Sequence, residues 1–375
     1  MKKYIIIQNL IAPYRTYLFN ELAKRGLNFE LFYMCETEAD RYWKIDFSNL
    51  KYNYWIDKKG FYRFVKGFHL HFNPCLIWKV IKNKNSDLIL SVSWNDLNII
   101  LLAFLKKIKI LKNNVHFWTE ANYLTIGASK DNKLKYYLRK FVYSSVDGAF
   151  IIPGKMAEET LKLWNVKTKN LVFLPNMIEE EKFTVSDTDL QKRENNSLPV
   201  LILPVRLIEN IKGVKNFFQA IGEENIFKAT FVVVGDGKDK NMYEKYIFEN
   251  NYQESIKLQG FCDLETVNRL YTWANVLVLP SFSDPSPLSL IEGIRMKLPL
   301  LISNRCGNHF ETLIENENGY SFDPFNKEDI RIAFEKMLQN RSRWADFGKV
   351  SANLYQQNFN IDSTLNRFIG DLSKI

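Results

Sequence analysis

Short apolar runs rich in Ile, Val, Leu and Phe recur along the chain and alternate with amphipathic stretches. Lys2 to Ile7 predicts a first buried strand. Pro13 then opens a helix, PYRTYLFNELAKRG, with Lys24 and Arg25 in its last turn and Gly26 just beyond it. Asn28 to Met34 predicts the next strand. This order, strand to helix to strand, begins a doubly wound parallel sheet. Asp87 to Ser93 continues it, followed by Asp96 and an apolar helix to Phe104. Val115 to Trp118 reads as another short buried strand, and Ala149 to Ile152 as the next. The run NLVFLPNMI closes the first domain through Pro175 and Asn176. Between them lies a helix over 131–145. Its Leu134, Leu138, Phe141 and Val142 form one stripe, expected to face the core. Lys133, Lys135, Arg139 and Lys140 flank that stripe, a pattern that also suits an anionic membrane surface.

The same pattern restarts after residues 181–198, which are polar and without periodicity and read as a linker. Pro199 to Val205 predicts a strand that ends at Arg206, and Lys212–Gly213 open the next helix. ATFVVV runs into the turn Gly235–Asp236–Gly237, where glycines let backbone approach a ligand. SIKLQGF brings Gly260 and Phe261 to the end of another strand. Asn275 to Leu279 is followed by a short polar loop, with Ser286 as N-cap and Pro287 at the first helical position. The expected fold is α/β, with two Rossmann-like doubly wound domains facing a central cleft. Residues 1–180 form the first domain and 199–345 the second. Residues 346–375 are a helical segment crossing back to the first.

Length and composition agree with that division. At 375 residues, 46% hydrophobic and 25% charged, the chain supports two globular cores. No apolar run approaches the ~20 residues of a spanning helix, and the N-terminus reads as a strand, not a leader. Four scattered cysteines without metal spacing suit a reduced, cytoplasmic protein. Residues 1–180 hold 28 Lys and Arg against 16 Asp and Glu, a net +12, whereas the remainder is −3. Nucleic acid, a phosphorylated glycan and an anionic membrane all answer such a charge, and so does a solvated surface. His69 and His71 stand at strand spacing within residues 36–75, which otherwise resist assignment. Two ligands make no metal site without a third, so no metal is expected. Asp187–Thr188–Asp189 matches a metal-binding Asp-x-Asp but sits in a polar run, and reads as chance.

The chemistry concentrates at the predicted carboxyl ends of the strands. The helix that begins near Leu288 and Ser289 offers free backbone N–H groups, a ready anion site. Asp284 precedes it and Glu292 lies one turn inside. Arg206 and Lys212 supply positive charge for a diphosphate. In the first domain Arg15, Asp96, Glu120 and Asn122 fall at the corresponding edge. This conjunction resembles the family-4 retaining glycosyltransferases of the two-Rossmann-domain (GT-B) class, also called glycosyl transferases group 1. The likeness covers the chain well from Asn195 onward, and the first half in architecture.

The resemblance implies a retaining, metal-independent transferase that moves a sugar from a nucleoside-diphosphate sugar, a UDP-sugar first among them. The acceptor would be a glycan or lipid-linked glycan, in bacterial surface polysaccharide or glycolipid synthesis. Asp284 would contact the donor sugar, in place of the family's usual Glu, and Glu292 the ribose. Arg206 and Lys212 would hold the diphosphate with the amides around Ser286, Pro287, Leu288 and Ser289. Gly235, Gly260 and Phe261 would line the nucleotide site. Glu120 would take the place of an acceptor-site polar residue, commonly His, with Arg15, Asp96 and Asn122 on the acceptor side. No cofactor is expected beyond the donor itself. An anionic membrane surface belongs among the partners, and nucleic acid does not. A nucleotide-sugar epimerase of the same architecture, or an inactive nucleotide-sugar-binding subunit, would share these features.

Overall fold

A computed structural model describes residues 2–38, 45–65, 68–125 and 132–375. The chain divides into two compact units. The first comprises residues 1–121, 130–177 and 361–375, and the second residues 122–129 and 178–360.

In the first unit the strands are β1 (Lys3–Gln8), β2 (Phe29–Tyr33), β3 (Asn53–Ile56), β4 (Phe61–Val65) and β5 (Phe68–Phe72). They are followed by β6 (Ser86–Leu90), β7 (Val115–Trp118), β8 (Phe150–Ile152) and β9 (Leu171–Phe173). Seven form one parallel sheet in the order β3-β2-β1-β6-β7-β8-β9. The pleat sends successive residues of β1 to opposite faces. Tyr4 and Ile6 therefore join one apolar cluster, and Ile5 and Ile7 the other. β4 and β5 make a separate antiparallel hairpin that pairs Tyr62 with His71 and Phe64 with His69. Aromatic and His side chains at strand spacing thus gave a hairpin where the hydrophobic pattern was unreadable.

The second unit holds β10 (Val200–Pro204), β11 (Thr230–Val234), β12 (Ile256–Gly260), β13 (Val276–Leu279), β14 (Leu300–Ser303) and β15 (Gly319–Phe322). All are parallel, in the order β12-β11-β10-β13-β14-β15. Numbered within the unit this is 3-2-1-4-5-6, a doubly wound sheet whose order reverses between β10 and β13.

Three expectations need correction. The polar segment 181–198 lies in the second unit and contains a helix, Asp187–Glu194. Ser186 and Asp189 cap it reciprocally, so the Asp-x-Asp is a helix first turn. Arg193 fastens this helix by donating to the carbonyls of Tyr271, Thr272 and Met296. Second, helix Trp344–Asn358 stays in the second unit, where Trp344, Phe347, Leu354 and Tyr355 join its core. Only from Ile361 does the chain enter the first unit, through Leu365, Phe368 and Leu372 of helix Ile361–Ser373.

Third, the helix predicted over 131–145 spans Lys133–Tyr143 and buries Arg139, Val142 and Tyr143. Arg139 lies over the Trp164 ring at 3.9 Å and takes up the inner face. Leu134 and Tyr137 are left 75% and 64% exposed, so the expected stripe does not face the core as a whole.

Candidate active site

In an open parallel sheet, ligands bind beyond the carboxyl ends of the strands at the point where strand order reverses. In the second unit that point lies between β10 and β13, and four of the sequence candidates flank it. Arg206 lies two residues beyond the end of β10 and is exposed. Lys212 ends a one-turn helix, Glu209–Lys212, instead of opening the next one. Gly213 follows at φ +62°, where a Cβ would meet the Pro280 carbonyl oxygen at 2.7 Å. That left-handed hinge lets helix Val214–Ile221 start afresh. Glu209 accepts from the Lys215 and Asn216 amides at its start, both at 2.9 Å, and from the Tyr243 hydroxyl.

The loop after β13 is tied to the same hinge, because the Phe282 and Ser283 amides donate to the Ile211 carbonyl. Asp284 thereby reaches Lys212, and the two form an ion pair with both side chains largely buried. A second loop supports the first: Gly307 donates to the Asp284 carbonyl at 2.9 Å, and Asn308 to the Pro287 carbonyl at 3.0 Å. Only glycine fits at 307, since a Cβ there would lie 1.8 Å from the Pro285 carbonyl oxygen. Cys306 is fully buried beneath Asp284, and burial pushes its thiol well above the usual range.

The helix after this loop spans Leu288–Arg295, and Pro287, not Ser286, is its N-cap. Among the described residues the Leu288 and Ser289 amides find no acceptor, which leaves two donors at the positive end of the helix. Glu292 stands one turn in and accepts from the Tyr271 hydroxyl at 2.7 Å. Although the residue keeps some exposed surface, desolvation of its carboxyl pushes it up to about 7, with the Tyr271 hydrogen bond opposing. Tyr271 is itself held far above its ordinary value by burial and by Glu292, so it remains the donor.

The glycine turn has a different cause from the one expected. A Cβ on Gly235 or Gly237 would lie 2.1 Å from the Val205 or 2.4 Å from the Leu207 carbonyl oxygen. These glycines let the chain pass close to the end of β10. Gly260, at φ +70°, accepts from the Gly235 amide, and the Phe261 ring beside it is 85% exposed.

In the first unit, Arg15 is buried, not solvent-facing. Its guanidinium lies over Trp118 at 4.2 Å and donates to Glu120 at 2.6 Å, and Glu120 also accepts from Asn176 at 3.1 Å. Nη1 of Arg15 is buried and finds no hydrogen-bond partner among the described residues. A charged network with an open donor thus stands at the carboxyl edge of the first sheet. Asp96 follows β6, which lies between β1 and β7 in the sheet, but it caps helix Leu97–Lys107 through the Asn98 amide and turns its other carboxylate oxygen toward His71. Asn122 lies with the second unit, where it donates to the Arg305 carbonyl, and Arg305 donates to the Leu124 carbonyl. Tyr271, Glu209 and the Cys306–Asn308 loop had no signal in the pattern beyond the glycine at 307.

Comparison with known proteins follows the same division. Residues 185–353 match the family described as Glycosyl transferases group 1. A glycogen synthase of Francisella tularensis subsp. holarctica is 29% identical over 170 residues, 42% of this chain and 34% of that one. The chain thus spans about a third of the length of the curated relatives it matches. Among solved structures, Anabaena Alr3699/HepE in complex with UDP superposes over the full length of both chains with a TM-score of 0.75 at 11% identity. Sucrose-phosphate synthase of Thermosynechococcus elongatus gives 0.73 at 16% identity, over all of this chain and 98% of its own. The family match supports the resemblance read from the sequence, and the structural likeness bears out the GT-B fold.

Proposed function

With a C-terminal unit that carries the glycosyl transferases group 1 pattern, we propose that the protein transfers a sugar from a nucleoside-diphosphate donor, a UDP-sugar, with retention of configuration. The observation that carries this reading is the switch-point cluster: Arg206, Lys212, the Leu288 and Ser289 amides at the helix start, Asp284 and Glu292 on two adjacent strand ends. The naming of UDP in the complex of the Anabaena neighbour is consistent with it.

In this reading the donor diphosphate lies against the Leu288 helix start. It takes Lys212 from its pairing with Asp284, while Arg206 supplies the second positive charge. Charge that develops on the leaving diphosphate is then met by fixed cations and amides, which lowers the barrier without a metal ion at that position. Asp284, released from Lys212, turns to the sugar hydroxyls. Glu292, ionised, accepts two hydrogen bonds from the ribose, and exposed Phe261 offers a face for the base. Acceptor handling falls to the first unit, where Arg15 and Glu120 are the candidates. The acceptor would be a glycan or a lipid-linked glycan, in surface polysaccharide or glycolipid synthesis. Exposed Leu134 and Tyr137 among lysines in the +12 half support an encounter with an anionic membrane.

The test is incubation with a panel of nucleoside-diphosphate sugars, reading released nucleoside diphosphate with and without glycan acceptors. Acceptor-dependent UDP release is the expected result. Interconversion of donor sugars without release would make the protein an epimerase, and binding without turnover would make it a nucleotide-sugar-binding subunit.

A further inference from the structure

A cluster in the first unit, separate from the donor chemistry, joins five side chains from three parts of the chain. Cys35 and Glu38 follow β2, His69 and His71 lie on β5, and Asp96 follows β6. Cys35 Sγ lies 3.6 Å from His71 Nε2. Glu38 Oε1 lies 3.4 Å from the same nitrogen. The three donor atoms all fall within 4.8 Å of one another, and Glu38 and His71 are buried.

The two spacings at His71 Nε2 match edges of a metal coordination shell. A tetrahedral zinc ion with Zn–N, Zn–O and Zn–S bonds of about 2.0–2.1, 2.0–2.2 and 2.3 Å has N···O edges of about 3.4 Å and S···N edges of about 3.6 Å. The second layer is also in place. Asp96 Oδ2 faces His71 Nδ1 at 3.6 Å, which favours the proton on Nδ1 and leaves the Nε2 lone pair toward Cys35 and Glu38. Asn9 donates to Glu38 Oε1 at 2.8 Å and fixes the carboxylate.

We propose that Cys35, Glu38 and His71 bind a zinc ion, oriented by Asp96. His69, whose Nε2 lies 3.7 Å from Glu38 Oε2, is the candidate for the fourth position. Thiolate, imidazole and carboxylate together favour zinc over magnesium or calcium, which prefer oxygen ligands alone. The ion would pin the β4–β5 hairpin to the carboxyl edge of the first sheet. The expectation of no metal rested on two histidines, and folding supplies Cys35 and Glu38 as further donors.

The full chain, stripped with chelator, is titrated with Co²⁺ as a spectroscopic probe and then with Zn²⁺ alone. One equivalent of Co²⁺ should give a thiolate-to-metal charge-transfer band that Zn²⁺ displaces. Cys35→Ser should abolish the band, whereas Cys75→Ser keeps it. His71→Ala should lose stoichiometric binding, and serves if Cys35→Ser does not fold. Asp96→Asn should keep the band and weaken Zn²⁺ affinity roughly ten- to hundredfold. Zn²⁺ should also raise the melting temperature of the wild type but not of His71→Ala. No band in the wild type, or a band that survives in folded Cys35→Ser, overturns the proposal.

Discussion

Glu292→Gln should make the protein more stable and worse at binding its nucleotide. The carboxyl is pushed from an ordinary 4.5 up to about 7, chiefly by desolvation. A folded-state value above the unfolded one means that the native state holds the extra proton between those two limits. Stability is therefore fully present below about 4.5 and is lost as pH rises through about 7. At about 1.4 kcal/mol per pH unit over about 2.5 units, the loss at pH 8 is at most about 3.5 kcal/mol. Glutamine keeps the Tyr271 hydrogen bond without the charge, so the variant should gain up to that amount at pH 8 and almost nothing at pH 4.5. Urea unfolding at the two pH values reads the difference. If Glu292 holds the ribose as proposed, the same substitution should remove at least one charge-assisted bond to a ribose hydroxyl, about 1.5–3 kcal/mol, or tenfold or more in UDP affinity. Wild-type affinity should also weaken as pH falls below about 7, because the proton must leave before both hydroxyls can be accepted. A variant no more stable than wild type at pH 8, with UDP affinity unchanged, would refute the reasoning.

Other expectations rest on neighbouring contacts. Lys212→Ala should lose turnover at least a hundredfold while far-UV circular dichroism stays native, since leaving-group charge develops in the transition state; unchanged turnover removes Lys212 from the diphosphate role. Gly307→Ala should displace the Asp284 loop, because the new Cβ meets the Pro285 carbonyl, and cut transfer about tenfold or more with the core unfolding transition retained; a fully active variant would show the loop to be indifferent. Glu120→Gln leaves the buried Arg15 guanidinium without its charged partner. It should cost about 1–3 kcal/mol of stability and abolish transfer at near-normal UDP affinity, and lost UDP affinity would move Glu120 to the donor side. Liposome binding should require anionic lipid, weaken with salt, and fall with Leu134→Glu; equal binding to neutral vesicles would contradict a charge-led encounter.

The parallel sheets and the switch-point cluster were legible because their signals are local. Val276–Leu279 is an unbroken apolar run, and Pro287 marks the helix start to within one residue. Arg206, Lys212, Asp284 and Glu292 each sit at a strand end or helix turn that the pattern places. What stayed hidden depends on pairs distant in sequence. Tyr271 lies 21 residues from Glu292, and Arg15 lies 105 from Glu120. Cys35 approaches His71 across 36 residues, through a hairpin that periodicity did not reveal. The helix Asp187–Glu194 was missed for another reason: it is short and polar, held by a capping box and by Arg193, with no apolar stripe to detect.

The central claim is that two carboxylates near one helix start divide the donor between them, Glu292 to the nucleotide and Asp284 to the sugar. Calorimetric titration of UDP into Glu292→Ala and Asp284→Ala, side by side with wild type, tests it most directly. Glu292→Ala should bind about tenfold or more weakly. Asp284→Ala should bind UDP as well as wild type or a few-fold tighter, because Lys212 loses its competing partner, while transfer by the same variant collapses. Equal loss of affinity in both variants, or in neither, would contradict the account.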